Sequence, residues 1–276
     1  MPPVAFAFAF AAAFVHAGWN LLLGRAEDSE AATSAAMVVG VVVFAPIALV
    51  SGHVDAAAWP FLVASNALEL GYIALLARAY NEGRASAVYP IARGSAPVLV
   101  LVASIVLGRG ADAAQLVGIV LVAGGVVLLR ARNGDGGGVS RAGLLLGLAV
   151  GTCIAGYTLV DKSGLAHASP LPYLELAMTG PAIGYFALVA HRTGVSSVRN
   201  ALNRSTVASG VGLFGAYALV LFALARSAAA PVAAVRETSV VILTIMSALW
   251  LRETISRRQW LAVVVIVVGI GTLALG

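Results

Sequence analysis

Four ionisable residues, Glu69, Arg93, Arg236 and Glu237, fall well inside long apolar runs. A charge at the centre of a bilayer costs roughly 2.5–3.5 kcal/mol on insertion scales, so each should face a cavity or a partner. Glu69 shares a helical face with Tyr72 at i+3, which points an acid and a phenol the same way and could bind a cation or a proton. The competing structural reading has Glu69 neutralising Arg93 or Arg236. Arg93 follows Pro90, whose ring removes an amide donor and leaves carbonyls open to ligand, water or side chains; Tyr89 lies at i−4 on the same face. The Arg93 guanidinium could grip a carboxylate or phosphate through two parallel hydrogen bonds, or lock its helix to a neighbour. Arg236 and Glu237 are adjacent, hence about 100° apart on a helix, and are not expected to pair with each other. One is expected to line a cavity while the other packs against a neighbouring helix.

His16, Trp19 and Asn20 fall at i, i+3 and i+4 and form a polar, aromatic stripe that Tyr157 and Thr158 repeat later in the chain. Such a stripe suits a partly wet cavity wall, although Trp and Tyr also anchor helix ends at the membrane surface. Asp161-Lys162 reads as a solvated pair at a helix boundary, and Glu175 as interfacial or cavity-facing. The four histidines are dispersed and Cys153 is the only cysteine, so neither a disulfide framework nor a metal or cofactor site is expected. Gly134-Asp135-Gly136 has no following lysine and is not a phosphate loop.

The elements that position these side chains must be membrane helices. The chain is 61% hydrophobic and 11% charged, with a mean hydropathy of +0.97, more apolar surface than a soluble core could hide. A helical span takes ~20 residues. Apolar runs near 3–23, 32–51, 59–80, 84–107, 112–130, 142–161, 171–191, 205–226, 228–251 and 258–275 predict about ten of them. Continuous runs of this length exclude the alternating ~10-residue strands of a membrane barrel. The first run resembles a signal segment but lacks a basic start and continues through Trp19-Asn20, so an uncleaved first span is expected. A pI near 9.8 arises from arginines between the apolar runs, which is membrane topology rather than nucleic-acid binding.

A Gly-rich linker at 132–141 divides the chain into a first five-helix repeat, 1–131, and a second, 142–276. Ala17-Gly18-Trp19-Asn20-Leu21 recurs as Ala155-Gly156-Tyr157-Thr158-Leu159. At a common offset of 144, Leu107, Gln115 and Gly125 meet Leu251, Gln259 and Gly269. Five is odd, so the second copy enters the membrane in the opposite sense and the repeat is inverted. Inverted repeats are the architecture of many secondary transporters, whose substrate site lies near the membrane midplane.

With His16-Ala17-Gly18-Trp19-Asn20, Tyr89-Pro90-Ile91-Ala92-Arg93-Gly94 with Pro97, and Leu251-Arg252-Glu253, the chain resembles the EamA-like, ten-span members of the drug/metabolite transporter superfamily over its whole length. Leu107-Gly108-Arg109 departs from the Leu-Gly-Glu usual in the family. The resemblance implies an all-α integral membrane protein that moves a small metabolite, an amino acid, organic anion or drug-like compound, by alternating access, as an exporter or exchanger. Its partners would be that substrate and the lipid bilayer, with protons as the candidate coupling ion, in a monomer or homodimer of the bacterial inner membrane. Four-span relatives carry an essential acid in span one, whereas this span holds His16 and no acid. The class set against transport is a membrane-embedded enzyme acting on a lipid-linked substrate, which should cluster His, Asp or Glu near one membrane face. Orientation divides the expectations. The family's habit puts both termini in the cytoplasm, while twelve arginines on the loops after the odd-numbered spans, against Arg109, Lys162 and Arg226 opposite, put them outside.

Overall fold

A computed structural model describes residues 1–81, 85–130, 140–251 and 256–275, and these are helical almost throughout. The helices are α1 (Pro3–Leu23), α2 (Ser29–Val50), α3 (Trp59–Asn81), α4 (Ala85–Val106), α5 (Ala113–Arg130) and α6 (Arg141–Gly164). They continue with α7 (Pro170–Thr193), the short α8 (Val195–Asn200), α9 (Arg204–Arg226), α10 (Ala229–Arg236), α11 (Thr238–Leu251) and α12 (Arg257–Leu275). Among the described residues seven segments are long and apolar enough to cross a membrane, and two shorter apolar helices accompany them. Most of the expected linker, together with Arg84, Arg132 and Arg252-Glu253, lies outside the described residues.

Polar residues stop and start the helices. The Asp28, Ser140 and Asn203 side chains accept the amides of Ala31, Gly143 and Thr206 at 2.9, 3.1 and 3.0 Å, satisfying donors the first helical turn leaves open. Ser256 and Gln259 form a reciprocal capping box at the start of α12. Asp112 caps α5 through the amide of Gln115 at the corresponding place in the first half.

The halves interleave. Helix α1 packs on α9, α6 on α3, α2 on α7, and α5 on α12, so much of the core is built between the copies. Small residues permit the close approaches. A Cβ on Gly125 would lie 3.1 Å from the Ala262 carbonyl, and one on Gly118 2.8 Å from that of Gly269.

The connections sort onto two faces. Backbone bonds join 53–55 to 167–169, Arg109 reaches Ser163 at 3.3 Å, and Lys162 reaches the Leu224 carbonyl at 2.7 Å. The links after α2, α4, α6 and α9 therefore share the face that holds both chain ends, the terminal face. The links after α1 and α7 meet opposite, where Ser197 donates to Asp28 at 3.2 Å. That side carries Arg25, Arg192, Arg199 and Arg204 and is the arginine face.

One expected element is divided. The run 228–251 reads as one span, but the helix breaks at Glu237, whose own amide bonds back three residues to Ala234 at 3.1 Å. The Thr238 hydroxyl donates to the Val235 carbonyl in the same turn. Hydropathy runs across this interruption, reading 229–246 as one apolar stretch.

Candidate functional site

A cavity of about 500 Å³ lies between α1, α2, α3, α4, α6, α7, α9 and α10. It reaches Gly24 and Ser29, exposed on the arginine face. On the terminal face, outside the cavity lining, the α2–α3 and α6–α7 connections meet in a short antiparallel contact: Val54 pairs with Ala168, the Asp55 amide donates to the His167 carbonyl, and the Ser169 amide to that of His53, each at 2.9 Å.

Eight residues singled out in the sequence, His16, Trp19, Asn20, Glu69, Tyr72, Arg93, Tyr157 and Arg236, line this one cavity. The helical periods account for this: i, i+3, i+4 on α1 and i, i+3 on α3 turn the polar side chains inward. Asn20 also donates to the His16 carbonyl at 2.8 Å. The His16 and Trp19 rings meet edge to face, 4.8 Å between centroids. Glu237 does not line the cavity. The side chain of Tyr89 lies outside the described residues.

Arg236 and Glu237 part as their spacing predicts: Arg236 lines the cavity, while Glu237 packs on α4, its Oε1 3.3 Å from Arg93 Nη1 with both side chains buried. The Arg93 Nη2 lies 2.9 Å from His16 Nε2. Guanidinium only donates, so Nε2 accepts and the neutral ring carries its hydrogen on Nδ1. A guanidinium holding both Glu237 and His16 has less freedom to turn toward a ligand. Arg236 points its Nη2 at the Tyr157 hydroxyl, 3.4 Å away, and its guanidinium carbon lies 6.0 Å from that ring's centre. Its Nε is buried without a hydrogen-bond partner among the described residues, as is Trp19 Nε1. Both residues line the cavity, although these two nitrogens are themselves buried.

Asp161 overturns a sequence expectation. Instead of a solvated boundary residue it is fully buried. It accepts hydroxyls from Ser65 at 2.7 Å, Tyr173 at 3.0 Å and Tyr217 at 2.5 Å, tying α3, α7 and α9 to α6. Tyr217, which lines the cavity, stands between this carboxylate and Glu69. The three hydroxyls come from three other helices, and no spacing in the sequence brings them together. Lys162, its neighbour, is half-buried on the Leu224 carbonyl rather than free in solvent. Among the described residues no three His, Cys, Asp or Glu side chains gather as a metal site. Glu175 lies outside the cavity lining, with one carboxylate oxygen buried and unpartnered among those residues.

Comparison with known proteins agrees with this architecture. The sequence model of the EamA-like transporter family matches residues 4–131 and, a second time, 141–275. No curated protein matches. Among the solved structures that match, one crystal structure, described only as that of a protein, superposes with a TM-score of 0.76 at 18% identity. The alignment covers 98% of this chain and 95% of the other, a likeness that concerns the fold. With two copies of the family's sequence pattern along a multi-pass helical chain, the protein belongs to the EamA-like transporter family, a family of drug and metabolite transporters.

Proposed function

We propose that this protein is a secondary transporter that carries a small zwitterionic or anionic metabolite, of the amino-acid or organic-acid class, across the bacterial inner membrane by alternating access. The observation that carries this reading is the cavity, which reaches the arginine face and is walled by Glu69, Arg93 and Arg236, while the 53–55 and 167–169 contact lies on the terminal face outside its lining. Its volume falls within the ~300–1,000 Å³ usual for small-molecule sites. The Arg236 guanidinium and the Tyr157 hydroxyl, both on the cavity wall, offer donors to a carboxylate. Glu69, on the wall with Tyr72, offers an acceptor to an ammonium group or a proton. Ten spans in two inverted repeats, 1–131 and 142–276, with α10 and α11 as one discontinuous span, fit this mechanism. Broken helices are a recurrent way to expose backbone at a transport site.

The test is uptake into proteoliposomes of a ¹⁴C-labelled amino-acid mixture and of labelled organic acids. Arg236→Ala should raise the apparent KM at least tenfold, and Arg236→Lys should restore little because an ammonium cannot reproduce the guanidinium fork. Glu69→Gln should preserve exchange at equilibrium while abolishing accumulation driven by a pH gradient. Unaltered kinetics in both variants would sink the assignment of the cavity as the substrate site.

A further inference from the structure

The offset of 144 that relates 107–125 to 251–269, carried back along α4, makes Glu237 the equivalent of Arg93. These two residues are also the buried ion pair, Nη1 to Oε1 at 3.3 Å. A residue that touches its own equivalent in the other copy lies on the axis relating the copies. The α5–α12 seam gives the same answer independently. Gly118 approaches the Gly269 carbonyl at 2.8 Å and Gly125 that of Ala262 at 3.1 Å. Ala262 and Gly269 are the equivalents of Gly118 and Gly125, so each residue of the pair meets the other's counterpart. Gly125 also meets Ile266, while Gly269 meets Val122, the equivalent of Ile266, at 3.0 Å from its Cγ2. One number rises as its partner falls, so the helices are antiparallel and the axis lies across them, in the plane of the membrane. Helix α10, which ends at Glu237, packs on both α4 and α5 and links the two observations.

When inverted repeats exchange conformations, a contact between non-equivalent segments turns into a different contact on the other face. The terminal-face contact of 53–55 with 167–169 is of this kind. Its equivalent on the arginine face, between the α7–α9 connection and the α1–α2 loop, holds one side-chain bond, Ser197 to Asp28 at 3.2 Å, and no backbone pairing among the described residues. A contact between equivalents maps onto itself and need not break. Resting on the alternating-access reading above, we infer that the Arg93–Glu237 pair and the α5–α12 seam are the fixed pivot of the transport cycle. Arg93 is thereby a positioning residue rather than a substrate ligand.

The experiment uses full-length protein in a Cys153→Ser background, reconstituted and assayed with the ¹⁴C-labelled amino-acid mixture. Val122→Cys with Ile266→Cys cross-links the seam: the two are equivalents, both fully buried, one packing on Gly269 and the other on Gly125. Val54→Cys with Ala168→Cys cross-links the terminal face at a non-hydrogen-bonded antiparallel pair, whose Cα separation of ~4.5 Å suits a disulfide. Oxidised seam protein should transport within twofold of its reduced form, whereas oxidised terminal-face protein should lose at least tenfold and recover on reduction. Arg93→Glu and Glu237→Arg singly should each lose at least thirtyfold, because each leaves like charges buried together. The double exchange should return to within about threefold of the parent, with the parental apparent KM. A seam cross-link that stops transport reversibly, or a double exchange as inactive as the single variants, overturns the pivot while leaving transport in place. Undiminished transport by the oxidised terminal-face protein overturns alternating access itself, and an inactive reduced parent overturns the transport reading together with the pivot.

Discussion

At the scale of the residue, Asp161 shows how much a single carboxylate can organise. Three hydroxyls from α3, α7 and α9 converge on its two oxygens, and hydrogen bonds to a charged acceptor contribute about 1.5–3 kcal/mol each. Asp161→Asn keeps the size but removes the charge and turns one acceptor into a donor. The expected outcome is a loss of roughly 2–4 kcal/mol in thermal or denaturant unfolding in detergent, with Asp161→Ala worse still. A melt unchanged from the parent would mean the hydroxyls are satisfied elsewhere. The sequence pointed away from this role, because Asp161 stands beside Lys162 near the end of an apolar run, the usual signature of a solvated boundary. Glu69, Arg93 and Arg236 were legible for the opposite reason. They interrupt apolar runs near their middles, where a charge without a function or a partner is not tolerated. Their partners were not legible: that Arg93 would meet Glu237 depends on how the two halves fold together.

At the scale of the element, the seam between α5 and α12 depends on having no side chain at three places. A Cβ at Gly125 would already press on the Ala262 carbonyl at 3.1 Å and on Ile266, and a Cβ at Gly118 or Gly269 would approach backbone at 2.8 Å. Gly125→Leu should therefore force the two helices apart; overpacking of a tight interface costs about 1–3 kcal/mol or more. The variant should show a lowered melting temperature and a depleted monodisperse peak in size-exclusion chromatography, while Gly124→Leu, whose Cβ would meet nothing within 4 Å, should not. Equal behaviour of the two would remove the seam from the determinants of stability. The helices themselves were readable from length and hydropathy, as the near coincidence of the predicted run 3–23 with α1 and 59–80 with α3 illustrates. The break at Glu237 was not, because hydropathy measures what surrounds a residue rather than which carbonyl its amide finds. Gly118 and Gly125 could be assigned to close packing from composition alone, yet their partners on α12 emerge only when the repeat offset is combined with the antiparallel contact.

At the scale of the whole molecule, the open question of function is which compartment the cavity meets. The cavity reaches the arginine face, where Gly24 and Ser29 are exposed, and the 53–55 contact lies on the terminal face outside its lining. Short cytoplasmic loops are enriched in Lys and Arg because translocating them is unfavourable. Among the described residues nine arginines, Arg25, Arg78, Arg130, Arg141, Arg192, Arg199, Arg204, Arg257 and Arg258, belong to the loops and helix ends of the arginine face, against Arg109, Lys162 and Arg226 on the other. That balance predicts an inward-facing state, with both chain ends outside; the orientation habitual in the family would make it outward-facing. The charge balance is strong enough to decide the expectation, since the arginines are spread over several loops and no single misplaced boundary removes them. In intact cells carrying the Cys153→Ser protein, a cysteine at Ser196, exposed on the arginine face, should stay unlabelled by a membrane-impermeant maleimide. One at His53, exposed on the terminal face, should label. Permeabilised cells should label both, which controls for burial. The reverse pattern would put the arginine face outside, turn the cavity toward the exterior and show that this protein's topology is set by something stronger than its arginines.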